Sequence, residues 1–116
     1  MKRDRIEIFK SASVIDTHAH VVLEETEKSA GALGPEMLFD GQTPVYRIGD
    51  YHLKGVNYKN TAFMDPKIRI DKMDEANIDL QVLTPNPLTY FHYSEKDLSI
   101  KFSKKHNDSL SSHLKY

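Results

Sequence analysis

Val14-Ile15-Asp16-Thr17-His18-Ala19-His20 is the stretch on which both the fold and the chemistry of this chain turn. An apolar pair leads into it, as expected of a strand entering from a core. In an extended strand successive side chains alternate faces, so the spacing predicts Asp16, His18 and His20 on one face and Thr17 and Ala19 on the other. Residues two apart on a face lie roughly 6.5–7 Å from each other, and two imidazoles leaning together from that separation reach one ion at about 2.1 Å. His-x-His on a strand is therefore a bidentate clamp for a divalent cation. The plain alternative is two exposed histidines. The apolar entry and the small residues on the reverse face favour the clamp, because a parallel strand ending at a barrel mouth has that composition.

Working outward, residues 13–18 read as the first strand. Residues 21–30, with Glu24, Glu25, Glu27 and Lys28, predict a helical turn or two, broken by Gly31 and Gly34-Pro35. Residues 45–48 and 51–56 are β-prone around a Gly49-Asp50 turn, which predicts a β-hairpin within an insertion of about 24–60. Asp65 before Pro66 suits an N-cap followed by proline at the first helical position. The helix it starts has Ile68, Ile70, Met73 and Ala76 as its apolar stripe. Lys67, Arg69, Asp71, Lys72, Asp74 and Glu75 fill its wet side, and Asn77 ends it in the left-handed conformation. Residues 78–83 form a second strand, stopped by Thr84-Pro85-Asn86-Pro87. Residues 95–116, without Gly or Pro, predict one long helix or two joined. Strand, helical connection, strand and helix make an α/β chain that begins a βα series. Two parallel strands would leave sheet edges and faces uncovered, which predicts either the opening portion of something longer or half of an assembly.

Composition excludes several classes. The 116 residues contain 16 Lys plus Arg against 17 Asp plus Glu, a formal charge of −1, with no basic stripe interleaved with aromatics, so no nucleic-acid partner is expected. The short basic run Met1-Lys2-Arg3-Asp4-Arg5 is interrupted by an acid and reads as a solvated start. No apolar run approaches the roughly 18 residues of a membrane span. The opening residues lack a signal-peptide pattern, so a cytoplasmic protein with no membrane partner is expected. At 39% hydrophobic the chain can form a modest core as a single domain over 1–116. With no cysteine, any metal must take nitrogen and oxygen ligands.

The Val-Ile-Asp-Thr-His-Ala-His start, the helix Asp65-Pro66-Lys67-Ile68-Arg69-Ile70-Asp71-Lys72-Met73-Asp74 and the strand Ile78-Asp79-Leu80-Gln81-Val82-Leu83, in this order and spacing, resemble the N-terminal part of a metal-dependent amidohydrolase. The likeness is to the amidohydrolase-related group of the aminocarboxymuconate-semialdehyde decarboxylase type. It runs through nearly the whole chain, loosely through 24–60. The resemblance implies a (β/α)8 TIM barrel with a divalent metal, usually zinc, at its C-terminal mouth, His18 and His20 being two of its ligands. A His on a later strand and a late Asp complete the shell in that family, and a whole barrel needs at least roughly 200 residues. The implied enzyme is a decarboxylase (carbon–carbon lyase) or a hydrolase. It would act on a small carboxylated or cyclic substrate through a metal-bound water or a metal-held substrate oxygen, and the fragment alone would be inactive.

Relatives of the decarboxylase type often place an Arg between the first strand and the Asp-Pro helix to grip a carboxylate. The comparable position here is Asn57, which leaves Arg47, Lys54 or Lys59 as available cations, each also readable as an ordinary surface charge. Asp16 is a candidate to buttress an imidazole from behind, or else to cap the strand. Asn86, Tyr90 and His92 follow the second strand, where a barrel loop overhangs its site, and are candidates for substrate contact. His52, His106 and His113 read as surface residues. A homo-oligomer, most simply a dimer, is expected. The rival reading from another class is a catalytically inactive fragment or paralogue, an interaction module that docks through its exposed strand edges.

Overall fold

The computed structural model describes residues 10–115. The Met1–Arg5 basic run and the last residue of the expected terminal helix, Tyr116, lie outside the described residues. Within them the fold is mixed α/β, with one parallel and one antiparallel sheet; no closed barrel is formed among these residues.

Strand β1 (Ile15–Val21) pairs in parallel with β5 (Leu80–Pro85). Between them come an antiparallel meander, β2 (Glu36–Asp40), β3 (Thr43–Ile48) and β4 (Tyr51–Lys54), and helix α1 (Pro66–Glu75). Helix α2 (Lys96–His113) closes the chain. Both parallel strands begin and end two or more residues later than the sequence predicts, and β5 runs on through Pro85, whose lack of an N–H is tolerated at a strand end.

The Asp65 side chain accepts hydrogen bonds from the Lys67 and Ile68 amides at 2.8 and 3.2 Å, and Pro66 follows at the first helical position, as the sequence predicts for α1. Asn77, at φ 56°, ends the helix in the left-handed region. The hairpin around Gly49 is present but is one half of a three-stranded meander. The helical turns expected in 21–30 are instead two short 3-10 turns, Glu24–Thr26 and Gly31–Leu33, with Lys28 at φ 62° between them. Gly34 allows the chain to press against the meander: a Cβ there would sit 3.0 Å from both the Arg47 carbonyl oxygen and the Glu36 nitrogen, at a φ of 88°.

The core lies between the meander and α2. Val22, Ala30, Tyr46, Ile48, Tyr58, Phe91 and Phe102 form it, with the Phe91 and Phe102 rings edge to face at 4.7 Å. Leu98, Phe102 and His106 follow one another at helical spacing on the inner side of α2, and His106 is only 4% exposed. This corrects the surface reading of His106. His113, further along the helix, is half-buried rather than solvent-facing. The reading of α1 is corrected in the same way: Arg69 is buried and Ile70 is 42% exposed, because the covered stripe runs through Arg69 and Met73.

Candidate metal site

The register of the parallel pair decides which side chains share a face. Ile15 pairs with Leu80 and Asp16 with Gln81, but Ala19 pairs with Leu83 and His20 with Thr84. Strand β1 therefore advances three residues where β5 advances two, a bulge at Thr17 and His18. Strand β5 has no bulge, so Gln81 and Leu83 share one face and Leu80, Val82 and Thr84 the other. Paired residues point the same way, which puts Asp16, Ala19 and Val21 on the face toward which Arg69 of α1 reaches. Ile15 and His20 lie on the opposite face, which is uncovered: Ile15 is 39% and Val82 38% exposed.

The two imidazoles come together. Their ring centroids are 4.8 Å apart and their planes nearly perpendicular. The Nδ1 of His20 lies 3.0 Å from Thr84 Oγ1 and 3.1 Å from the Pro85 carbonyl oxygen. A carbonyl oxygen only accepts, so this contact requires Nδ1 to carry the proton, and the Thr84 hydroxyl, donating to the Ala19 carbonyl at 3.3 Å, can accept from the same N–H. In the neutral ring that tautomer puts the lone pair on Nε2, the form in which an imidazole binds a cation.

Asp16 does not share the imidazoles' face, contrary to simple alternation, because the bulge intervenes. One carboxylate oxygen accepts from the His18 backbone N–H at 3.0 Å and the other from the Gln81 amide at 2.9 Å. Asp16 thus bonds the backbone of His18 and the Gln81 side chain, not an imidazole ring. The His18 amide, followed by the Gln81 amide, holds its carboxyl below the usual range. Gln81 in turn accepts from Arg69 Nη1 at 2.8 Å, and Arg69 Nη2 donates to the His20 carbonyl at 2.7 Å.

The substrate candidates disperse. Arg47 donates to the Ala32 and Gly49 carbonyls and pairs with Glu36 at 3.2 Å, so its guanidinium is occupied in bracing the meander. Asn86 is buried and caps the 3-10 turn Pro87–Thr89 through the Leu88 amide, a structural task. Tyr90 is 48% exposed and His92 is exposed against the Tyr93 ring, both in the loop after β5. His52 is exposed, its Nδ1 3.0 Å from the Asp50 carbonyl. A cleft of about 390 Å³ opens beside Glu24, Lys59, Asp65 and His113, and neither His18 nor His20 lines it.

Among the described residues no group of three or more His, Asp or Glu side chains converges to hold a metal ion. The donor set fits a divalent cation as two nitrogen ligands of a larger shell. Among the described residues no helix is long and apolar enough to cross a membrane. The residues around the site that sequence reasoning missed are Arg69, Gln81 and Thr84. Thr84 and Gln81 were findable, since each lies level with a residue of the His-x-His stretch once the two strands are paired. Compared with known proteins, the chain matches no family model, and no curated protein matches it.

Proposed function

We propose that this chain is the N-terminal part of a metal-dependent (β/α)8 enzyme of the amidohydrolase superfamily. It acts as a carbon–carbon lyase or hydrolase on a small carboxylated or cyclic substrate, with His18 and His20 as two ligands of a divalent cation, zinc by preference. The observation that carries this reading is the approach of the two rings to 4.8 Å on the uncovered face of a parallel strand pair, close to its carboxyl end. In a closed barrel that face is the interior and that end is the mouth where sites are built. Imidazole nitrogens suit zinc, and with no cysteine in the chain no thiolate competes for it.

A bound divalent cation supplies Lewis acidity, to a substrate oxygen or to a water whose pKa it lowers towards about 7. The chain's own contribution is to hold His20 as its Nδ1–H tautomer through Pro85 and Thr84. It also keeps both rings on one side of the sheet. Two imidazoles leave positions of a tetrahedral shell open, so these 116 residues alone hold the ion weakly, and the remaining ligands come from further strands. Tyr90 and His92, exposed beyond the carboxyl end of β5, are the residues offered to a substrate.

Elemental analysis of the purified full-length parent protein beside its His18→Ala, His20→Ala double variant tests the reading. Zinc is expected in the first and lost from the second. Equal metal content in both refutes it.

A second reading is favoured by the exposure of Ile15 and Val82 on a sheet that has two strands and open edges among the described residues: an interaction module without catalysis, self-associating as a dimer or docking on another protein. Sedimentation separates the two. A metal-free dimer supports the module, whereas a well-folded metal-free monomer contradicts both.

A further inference from the structure

Arg69 is 9% exposed, and its guanidinium is divided between two targets that both lead to the histidines. Nη2 donates directly to the carbonyl of His20 at 2.7 Å. Nη1 donates to Gln81 at 2.8 Å, Gln81 donates to Asp16 at 2.9 Å, and Asp16 accepts from the backbone N–H of His18 at 3.0 Å. One buried cation on α1 thus ends, by one bond on one side and by three on the other, on the main chain of each imidazole-bearing residue.

We infer that Arg69 is the positioning residue of the His18–His20 pair, fixing through the Gln81–Asp16 relay the bulged backbone from which the two rings converge. The inference rests on the metal-site reading for its functional meaning, but its geometry is independent of any bound ion. The bulge takes His18 out of register with β5, and it is there that the relay supplies a partner for the His18 amide. The two bonds of Arg69 diverge from two different nitrogens of one plane. A guanidinium can do this from a fixed fork, whereas a lysine ammonium is a single point charge. Nothing in a plain helix-to-sheet tie requires both arms to lead to the two histidines.

The test uses the intact 116-residue chain and three variants: Arg69→Lys, which keeps the charge and loses the fork, Gln81→Leu, which cuts only the relay, and Lys72→Gln, an exposed control on the same helix. Two signals are read: Co2+ binding from its visible absorption, and the metal-free imidazole and His18 amide resonances in 15N-resolved spectra at one fixed pH. Removing the partners of metal-binding histidines typically weakens affinity roughly ten- to a hundredfold, and a loss in that range is expected for Gln81→Leu and Arg69→Lys but not for Lys72→Gln. In the metal-free spectra the His18 amide is expected to shift in both relay variants, and the His20 ring signals to shift in Arg69→Lys, which loses the bond to the His20 carbonyl.

If Arg69→Lys does not fold, Gln81→Leu decides alone. Unchanged Co2+ affinity together with unmoved His18 and His20 signals overturns the positioning role, even if stability falls. If the 116-residue chain binds Co2+ too weakly to measure, as two ligands of an incomplete shell allow, the metal-free spectra decide alone: shifted resonances uphold the relay and unmoved ones overturn it.

Discussion

The two sheets of this molecule are buried differently: the central strand of the antiparallel one lies against the core, while one face of the parallel pair is partly exposed. Parallel strands are normally covered on both faces and read as apolar runs, whereas antiparallel meanders commonly leave one face in water. Here the central strand of the meander, β3, buries Tyr46 and Ile48 against the aromatic core and Val45 on its other face. The parallel pair leaves Ile15 and Val82 more than a third exposed. The buried core and the two converging histidines thus lie in different sheets: Tyr46 and Ile48 in the meander, His18 and His20 in the parallel pair.

Three measurements would break or sharpen that division. Replacing Phe102 with Ala removes a ring that is 1% exposed and packed on Phe91, and is expected to cost about 3–5 kcal/mol in urea unfolding, the largest single effect. A small effect would mean that the core is not where the aromatic cluster lies. The paired substitutions Val45→Thr and Val82→Thr make the same chemical change in the two sheets. The first buries a hydroxyl and is expected to cost about 1–3 kcal/mol; the second stays within about 0.5 kcal/mol. Similar costs at both positions would erase the contrast.

The smallest effect expected is on pH dependence. Burial holds His106 below its ordinary value of 6.5, so the native state keeps it neutral while the unfolded chain takes up a proton. Stability is then complete above pH 6.5 and declines as the pH falls from there towards the native value. His113 is shifted in the same direction, by burial first and by the charge of Arg69 second, with Glu25 and Asp65 opposing. Urea midpoints above and below pH 6.5, compared between the parent and His106→Gln, should show a shallower slope in the variant. An identical slope would remove His106 from the acid response.

What the sequence made legible were the features written in local chemistry. Asp65 with Pro66 announces a helix start whatever surrounds it, Asn77 announces its end, and Gly49 marks a tight turn, because each acts through the backbone of its own few residues. The pairing of His18 with His20 was legible for the same reason. The rest depended on partners distant in the chain. Strand β2, Glu-Met-Leu-Phe-Asp, has no β-branched residue and no clean alternation; it is a strand because Glu36 to Asp40 lie level with Thr43 to Arg47 and because Glu36 meets Arg47. Arg69 looked like a surface cation because nothing near it in sequence reveals Gln81 or the His20 carbonyl. His106 was concealed by its polarity, although four residues from Phe102 is the spacing of a buried stripe. The face of Asp16 was misplaced because a bulge leaves no mark on residue type.

That extra residue makes β1 a phase shifter. Ahead of it an odd-numbered side chain, Ile15, looks out from the open side; beyond it an even-numbered one, His20, does. A single insertion or deletion that cancelled the offset would leave composition and charge almost untouched, yet would exchange inside for outside along half the strand. What must be preserved in such a segment is therefore its reading frame relative to its neighbour as much as the identities of its residues.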